Sequence, residues 1–184
     1  MDKKILRKEL LQKRKGIEKS LKGKWDIEIS KSICALDCFK NAKQVLVFAS
    51  RENEFDTRYI IERCREQSKR VFYPLCLDKN GNMKFFKVDS VGDLQPGNFG
   101  ILEPKRTCKP YSPTDFDVVI VPCLSVDKNK NRIGYGKGYY DRFLKDFQGV
   151  SICPCYDEMQ TDLLPTDEFD MNVQIIVTNK EVIL

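Results

Sequence analysis

Apolar residues recur along the chain in two rhythms. In residues 2–15 the apolar positions Ile5, Leu6, Leu10 and Leu11 gather on one side of a 3.6-residue repeat. Asp2 is a competent N-cap, so a helix is expected over this span. Lys3, Arg7 and Arg14 recur at helical spacings and share a face. Such a face is ordinarily the solvated side of an amphipathic helix. Trp25, Ile29, Ile33, Leu36 and Phe39 keep the same period and predict a second helix over residues 24–39. The rhythm then changes. "QVLVFA" (44–49) and "RVFYPLC" (70–76) are short continuous apolar runs, as buried strands are, with "RYIIERCREQS" between them as a helix. "DKNGN" supplies an Asn-Gly turn, and "MKFFKV" alternates as the returning arm of a hairpin. "FDVVIVP", "VSICPCY" and "VQIIVT" are further strands, with a helix over residues 139–147 before the last two. Residues 92–113, rich in Gly and Pro, are long for a structureless connection. They are expected to cover a site or to hold a short strand near 99–102. Strands alternating with helices predict one α/β domain over residues 1–184, with a mostly parallel sheet covered on both faces.

Composition narrows the function. The 184 residues are 41% apolar and 32% charged, which suits a globular chain. No run of about 18 apolar residues is present, so no membrane span is expected. Charge begins at the second residue, with no apolar export signal, and a cytoplasmic protein is expected. Eight cysteines in that setting are expected as free thiols that pack like small apolar residues, in preference to disulfides or a zinc site. The chain has no histidine, which removes the commonest general base and metal ligand. A formal charge of +5 suits phosphorylated or polycarboxylate small molecules. No nucleic-acid motif accompanies it, and acidic residues are scattered among the lysines, so no nucleic-acid partner is expected.

The segment "NRIGYGKGYYDRFL" (131–144) carries the candidate chemistry. Gly134, Gly136 and Gly138 are free to take positive φ and to let a ligand approach the backbone. The loop opens a helix whose first amides lack internal partners and favour an anion. Lys137 adds a mobile positive charge. The spacing is neither a Walker loop nor a dinucleotide fingerprint. On pattern alone, a phosphate cradle and a flexible turn are equally compatible with it. Asp141, in the first helical turn, is compatible both with the helix dipole and with a magnesium site beside phosphates.

With "KKILR" at the start, "NEFDT" after the first strand, "FGILEP" in the middle, "RIGYGKGYYDRFL" after "VIVPCLSVD", and "LLPTDEFD" near the end, the chain resembles the 5-formyltetrahydrofolate cyclo-ligase family. The resemblance implies a three-layer α/β/α sandwich like that of the ribose-phosphate isomerase and CoA-transferase superfamily. It implies closure of 5-formyltetrahydrofolate, polyglutamylated or not, to 5,10-methenyltetrahydrofolate with ATP and Mg2+, through phosphorylation of the formyl oxygen. It assigns Lys3 and Arg7 to the ATP phosphates. Arg132, Ile133, Gly134, Tyr135, Gly136, Lys137, Gly138, Tyr139 and Tyr140 become the ATP loop, whose residues 135–139 also meet the folate. Lys137 and Tyr139 are placed at the chemical step. Glu54 is assigned to the pterin, with Ala49, Met83, Phe85, Phe99 and Glu103 as further folate contacts. Asp141 and Asp170 are assigned to the metal. Phe169 and Gln174 stand where the family usually has histidine and a second aspartate. A monomer is expected.

Overall fold

The computed structural model describes residues 2–78, 80–97, 101–114 and 117–184. Helix α1 (Lys3–Lys15) is capped by Asp2, whose carboxylate accepts from the Lys4 amide at 2.6 Å. Its buried stripe is Leu6, Leu10 and Arg14, whereas Ile5 is 56% exposed and Leu11 lies at the surface. The expected apolar side is thus rotated, and the basic face is turned toward the protein. Arg14 donates to the Leu124 carbonyl at 2.9 Å, and Arg7 to the Gly134 carbonyl at 3.0 Å.

The expected second helix is two: α2 (Lys19–Ala35) and α3 (Asp37–Asn41), separated by Leu36 in extended conformation. α2 begins five residues before the expected start, with Gly23 inside it. A side chain at Gly23 would meet no atom within 4 Å, and an exposed helical glycine costs only about 1 kcal/mol, so the turn tolerates it. Trp25, Ile29, Ile33 and, on α3, Phe39 still supply the buried face.

The central sheet contains β1 (Gln44–Leu46), β2 (Arg70–Cys76), β3 (Met83–Lys87), β6 (Asp117–Ile120), β9 (Val150–Pro154), β10 (Ile175–Val177) and β11 (Val182–Ile183). Their order is β11-β10-β9-β6-β1-β2-β3. The five inner strands are parallel, while β3 and β11 run antiparallel at the edges. Every residue of β1, β6 and β10 is buried, which requires cover on both faces and explains their unbroken apolar runs. Helix α4 (Arg58–Glu66) packs on β2 and α2. The β2–β3 hairpin turns at Gly81, φ 94°, as its Asn-Gly step predicts. The Gly/Pro-rich stretch holds a two-stranded ribbon, β4 (Leu94–Pro96) with β5 (Leu102–Pro104).

A second small ribbon, unforeseen from the pattern, joins β6 to the glycine loop: β7 (Ser125–Val126) with β8 (Arg132–Ile133). Its turn is organised by the fully buried Asp127. That carboxylate accepts from the amides of Asn129 (2.9 Å), Asn131 (3.0 Å) and Leu164 (3.0 Å), and from Asn131 Nδ2 (2.9 Å). Replacing Asp127 by Ala removes the acceptor of the buried Leu164 amide and of the part-buried Asn129 and Asn131 amides. A loss of about 2 kcal/mol in chemical denaturation is expected. An effect under about 1 kcal/mol would show that Asp127 does not organise the turn.

Candidate active site

The direction of sheet growth reverses at β1. The chain runs outward from β1 to β2 on one side, and from β6 to β9 and β10 on the other. In open α/β sheets a ligand crevice opens beyond the carboxyl ends of the strands flanking such a point. A cleft of about 940 Å³ lies there, reached by Phe48, Ala49 and Glu54 after β1 and by Pro122 after β6. Arg132 through Arg142 also line it, with Lys3 and Arg7 from α1 and residues 167–171 from the segment before β10.

The glycine loop leads into helix α5 (Tyr139–Asp146), with Gly138 as N-cap at φ 69°. Gly136 has φ 88°, whereas Gly134 is not among the positive-φ residues, so two of the three glycines use the freedom expected of them. A Cβ on Gly136 would stand 3.0 Å from Arg7 Cζ. Gly136→Val therefore combines left-handed strain with displacement of Arg7. It is expected to lower stability by about 1–2 kcal/mol and, with the loop as the phosphate cradle the sequence suggests, to weaken binding of an ATP probe about ten-fold or more, measured by thermal unfolding and calorimetry. Wild-type binding in this variant would exclude the loop as a phosphate cradle.

Two sets of charged groups in the cleft are paired with one another. Lys3 Nζ bridges Asp167, at 2.6 Å, and Asp170. Partial burial opposes the Lys3 charge, but the hydrogen bonds to the two carboxylates outweigh it and raise its pKa. Arg132 Nη2 holds Asp141 Oδ1 at 2.7 Å, and that oxygen also accepts from the Met171 amide at 3.2 Å. Lys137 is exposed, with its carbonyl accepting from Arg142 Nη1 at 3.1 Å. Tyr139 OH donates to the Asp78 carbonyl at 2.8 Å, which ties α5 to the β2–β3 turn.

Glu54 is buried, and its Oε2 accepts from the Arg51 amide at 2.9 Å. Burial first, and the nearby Glu54 carboxylate second, push the Tyr135 pKa above the usual phenol range. The Arg51 guanidinium lies over the Tyr135 ring, 5.7 Å from its centroid. Arg51 escaped the sequence reading, although it sits three residues before Glu54. Two buried polar atoms on the cleft wall, Arg132 Nε and Tyr140 OH, have no hydrogen-bond partner within the protein. Buried orphans of this kind are rare in folded proteins and fit a wall built to receive a polar ligand.

The folate candidates divide. Ala49 and Met83 line the cleft. Phe85 is 1% exposed and packs on Tyr140 and Phe143 with centroids 6.4 and 4.7 Å away, so it supports the wall from behind. Glu103 is buried and is not among the residues lining the cleft; after burial, its charge helps raise the pKa of Cys76, which does line it. Phe99 lies outside the described residues. Gln174 accepts from the Ser151 amide at 2.6 Å and its hydroxyl at 3.0 Å, a link between β9 and the approach to β10.

Among the described residues there is no cluster of three or more His, Cys, Asp or Glu suited to a metal. Asp141 and Asp170 nonetheless line one cleft, with side chains 22% and 27% exposed. Two hard oxygen donors of this kind fit a cation that takes its remaining ligands from phosphate and water.

A mostly parallel α/β sheet with a mixed-charge cleft and a glycine loop at its switch point defines an α/β protein with a place for a small molecule beyond its strand ends. The chain belongs to the 5-formyltetrahydrofolate cyclo-ligase family, whose model matches residues 1–179. It is 32% identical over 146 residues to the 5-formyltetrahydrofolate cyclo-ligase of Escherichia coli K12, covering 77% of this chain and 80% of that one. It is 26% identical over 189 residues to the mouse cyclo-ligase, covering 94% and 91% of the two chains. The NMR structure of Aquifex aeolicus 5,10-methenyltetrahydrofolate synthetase superposes with a TM-score of 0.87 at 30% identity, covering 99% of this chain and 92% of that one.

Proposed function

We propose that the protein closes 5-formyltetrahydrofolate to 5,10-methenyltetrahydrofolate, using ATP and releasing ADP and phosphate. The observation that carries this reading is the meeting, in one cleft, of a cationic glycine loop with the buried carboxylate of Glu54. A formamide is a poor electrophile because its nitrogen donates into the carbonyl. Phosphoryl transfer to the formyl oxygen turns that oxygen into a leaving group. The folate N10 then attacks the formyl carbon, phosphate departs, and the N10 proton is lost. Positioning and charge neutralisation do most of such work, so no histidine or protein nucleophile is required.

Lys3, Arg7 and Lys137, with the open amides of α5, hold the phosphates in this reading. Arg132, released from Asp141, turns toward them. Residues 135–139 line the meeting point of nucleotide and formyl group, with Lys137 and Tyr139 nearest the reacting atoms. Glu54 accepts from the donor edge of the pterin, while Ala49 and Met83 border its ring. Asp141 and Asp170 would hold magnesium, which supplies neutralisation of phosphate charge when bound. Kinship with the ribose-phosphate isomerase and CoA-transferase superfamily is part of the proposal, supported by the parallel sheet and its switch-point cleft. A cytoplasmic setting is supported by eight unbridged cysteines. No helix among the described residues is long and apolar enough to cross a membrane.

Mixing protein, ATP, magnesium and 5-formyltetrahydrofolate is expected to produce the near-ultraviolet absorbance of the methenyl product. A flat trace with folded protein would refute the reading.

A further inference from the structure

The segment just before β10 presents an apolar ring to water at the lip of the cleft. Phe169 is 77% exposed and lines the cleft mouth. A single exposed phenyl ring is ordinary on a protein surface, so exposure alone says little. The way this ring is held says more. Residues 167–170 form a closed turn, in which the Asp170 amide donates to the Asp167 carbonyl at 3.1 Å and the Asp167 amide to Asp170 Oδ2 at 2.7 Å. Lys3 fastens both carboxylates of that turn to α1. On the far side, the Met171 amide donates to Asp141 Oδ1, which fastens the segment to α5. The backbone carrying Phe169 is therefore pinned at both ends while its side chain is left open.

The two fastenings also locate the ring. Both run to groups on the anion side of the cleft: Lys3 on the first helix, and Asp141 beside the glycine loop. A nucleotide whose phosphates lie among Lys3, Arg7 and the loop extends its base toward the rim, away from the reacting end. We propose that Phe169 is the platform on which the nucleobase stacks. A flat π-face is what an exposed, pre-positioned aromatic ring recognises, and stacking on it is tolerant of base identity. The backbone bond from the Asp170 amide to the Asp167 carbonyl depends on none of the pinning side chains, so the turn keeps the ring in place and limits the ordering cost at binding.

This inference rests on the nucleotide reading of the cleft, and the test separates the two. The probes are a non-hydrolysable ATP analogue, inorganic tripolyphosphate, which keeps the phosphate chain and lacks the base, and 5-formyltetrahydrofolate. Binding of each to wild type, Phe169→Ala and Phe169→Tyr is measured by calorimetry, with thermal unfolding as the folding control. Phe169→Ala is expected to weaken the analogue roughly ten-fold, leave tripolyphosphate within about two-fold, and keep its thermal midpoint; Phe169→Tyr is expected to bind as wild type does. Unchanged analogue affinity in Phe169→Ala overturns the stacking role. Equal losses for both probes overturn it too, because the effect then runs through the phosphates or the turn. Loss of 5-formyltetrahydrofolate affinity alone overturns it by placing the ring on the folate side. Wild type that binds neither phosphate probe overturns the nucleotide reading, and this inference with it.

Discussion

Glu54→Gln is expected to lower kcat/KM for 5-formyltetrahydrofolate about a hundred-fold and to leave nucleotide affinity within about two-fold. Glutamine matches the volume of this buried side chain and keeps one carbonyl oxygen for the Arg51 amide, so the loop after β1 is retained. In the proposed reading, what disappears is the charge that strengthens paired hydrogen bonds from the pterin edge. Each charge-assisted bond contributes about 1.5–3 kcal/mol net, and a neutral one about half as much. Converting two of them loses about 2–3 kcal/mol, or one and a half to two decades in rate. Initial rates saturated separately in folate and ATP make the measurement. Wild-type folate kinetics would remove Glu54 from the substrate site and favour a different acceptor for the same nucleotide.

Lys137→Ala is expected to lower kcat/KM for ATP about 10²- to 10³-fold, with the thermal midpoint held within about 2 °C. The magnitude is that of removing one preorganised donor from a developing oxyanion. The stability expectation follows from exposure, since the ammonium stands in the open loop and the residue's structural contact is its carbonyl, which alanine retains. Normal ATP turnover in this variant would show that the loop does not grip the transferred phosphate. A large fall in stability would instead assign Lys137 a packing role.

Much of the fold was legible because its signals are local. The strand runs "QVLVFA", "RVFYPLC" and "FDVVIVP" contain β1, β2 and β6, and the Asn-Gly step marked the β2–β3 hairpin. Boundaries and rotations were less legible. Leu36 continues the apolar period of α2, yet it is the break between α2 and α3. Ile5 and Leu11 satisfy the helical repeat as well as Leu6 and Leu10 do, yet Ile5 faces water. The β7–β8 ribbon is too short for any period. Its one legible sign was "DKNKN", an Asp followed by alternating asparagines of the kind that close turns on a side-chain oxygen.

The candidate site shows the same division. Local sequence specified a glycine loop, a lysine within it and a helix opening behind it, because backbone freedom and helix starts depend on near neighbours. The family motifs extended that reading to Glu54 and Asp170. Nothing local could say that Phe85 faces the core while Met83, two residues away, reaches the cleft. Nor could it say that Lys3 would meet Asp167 and Asp170, or that Arg14 would reach the Leu124 carbonyl. Those contacts join residues more than 100 positions apart, and they exist only once the sheet order is set. Periodicity establishes that a helix has two faces. Only the packing of that helix against its distant neighbours decides which face turns inward, and in α1 it turned the cations toward the site.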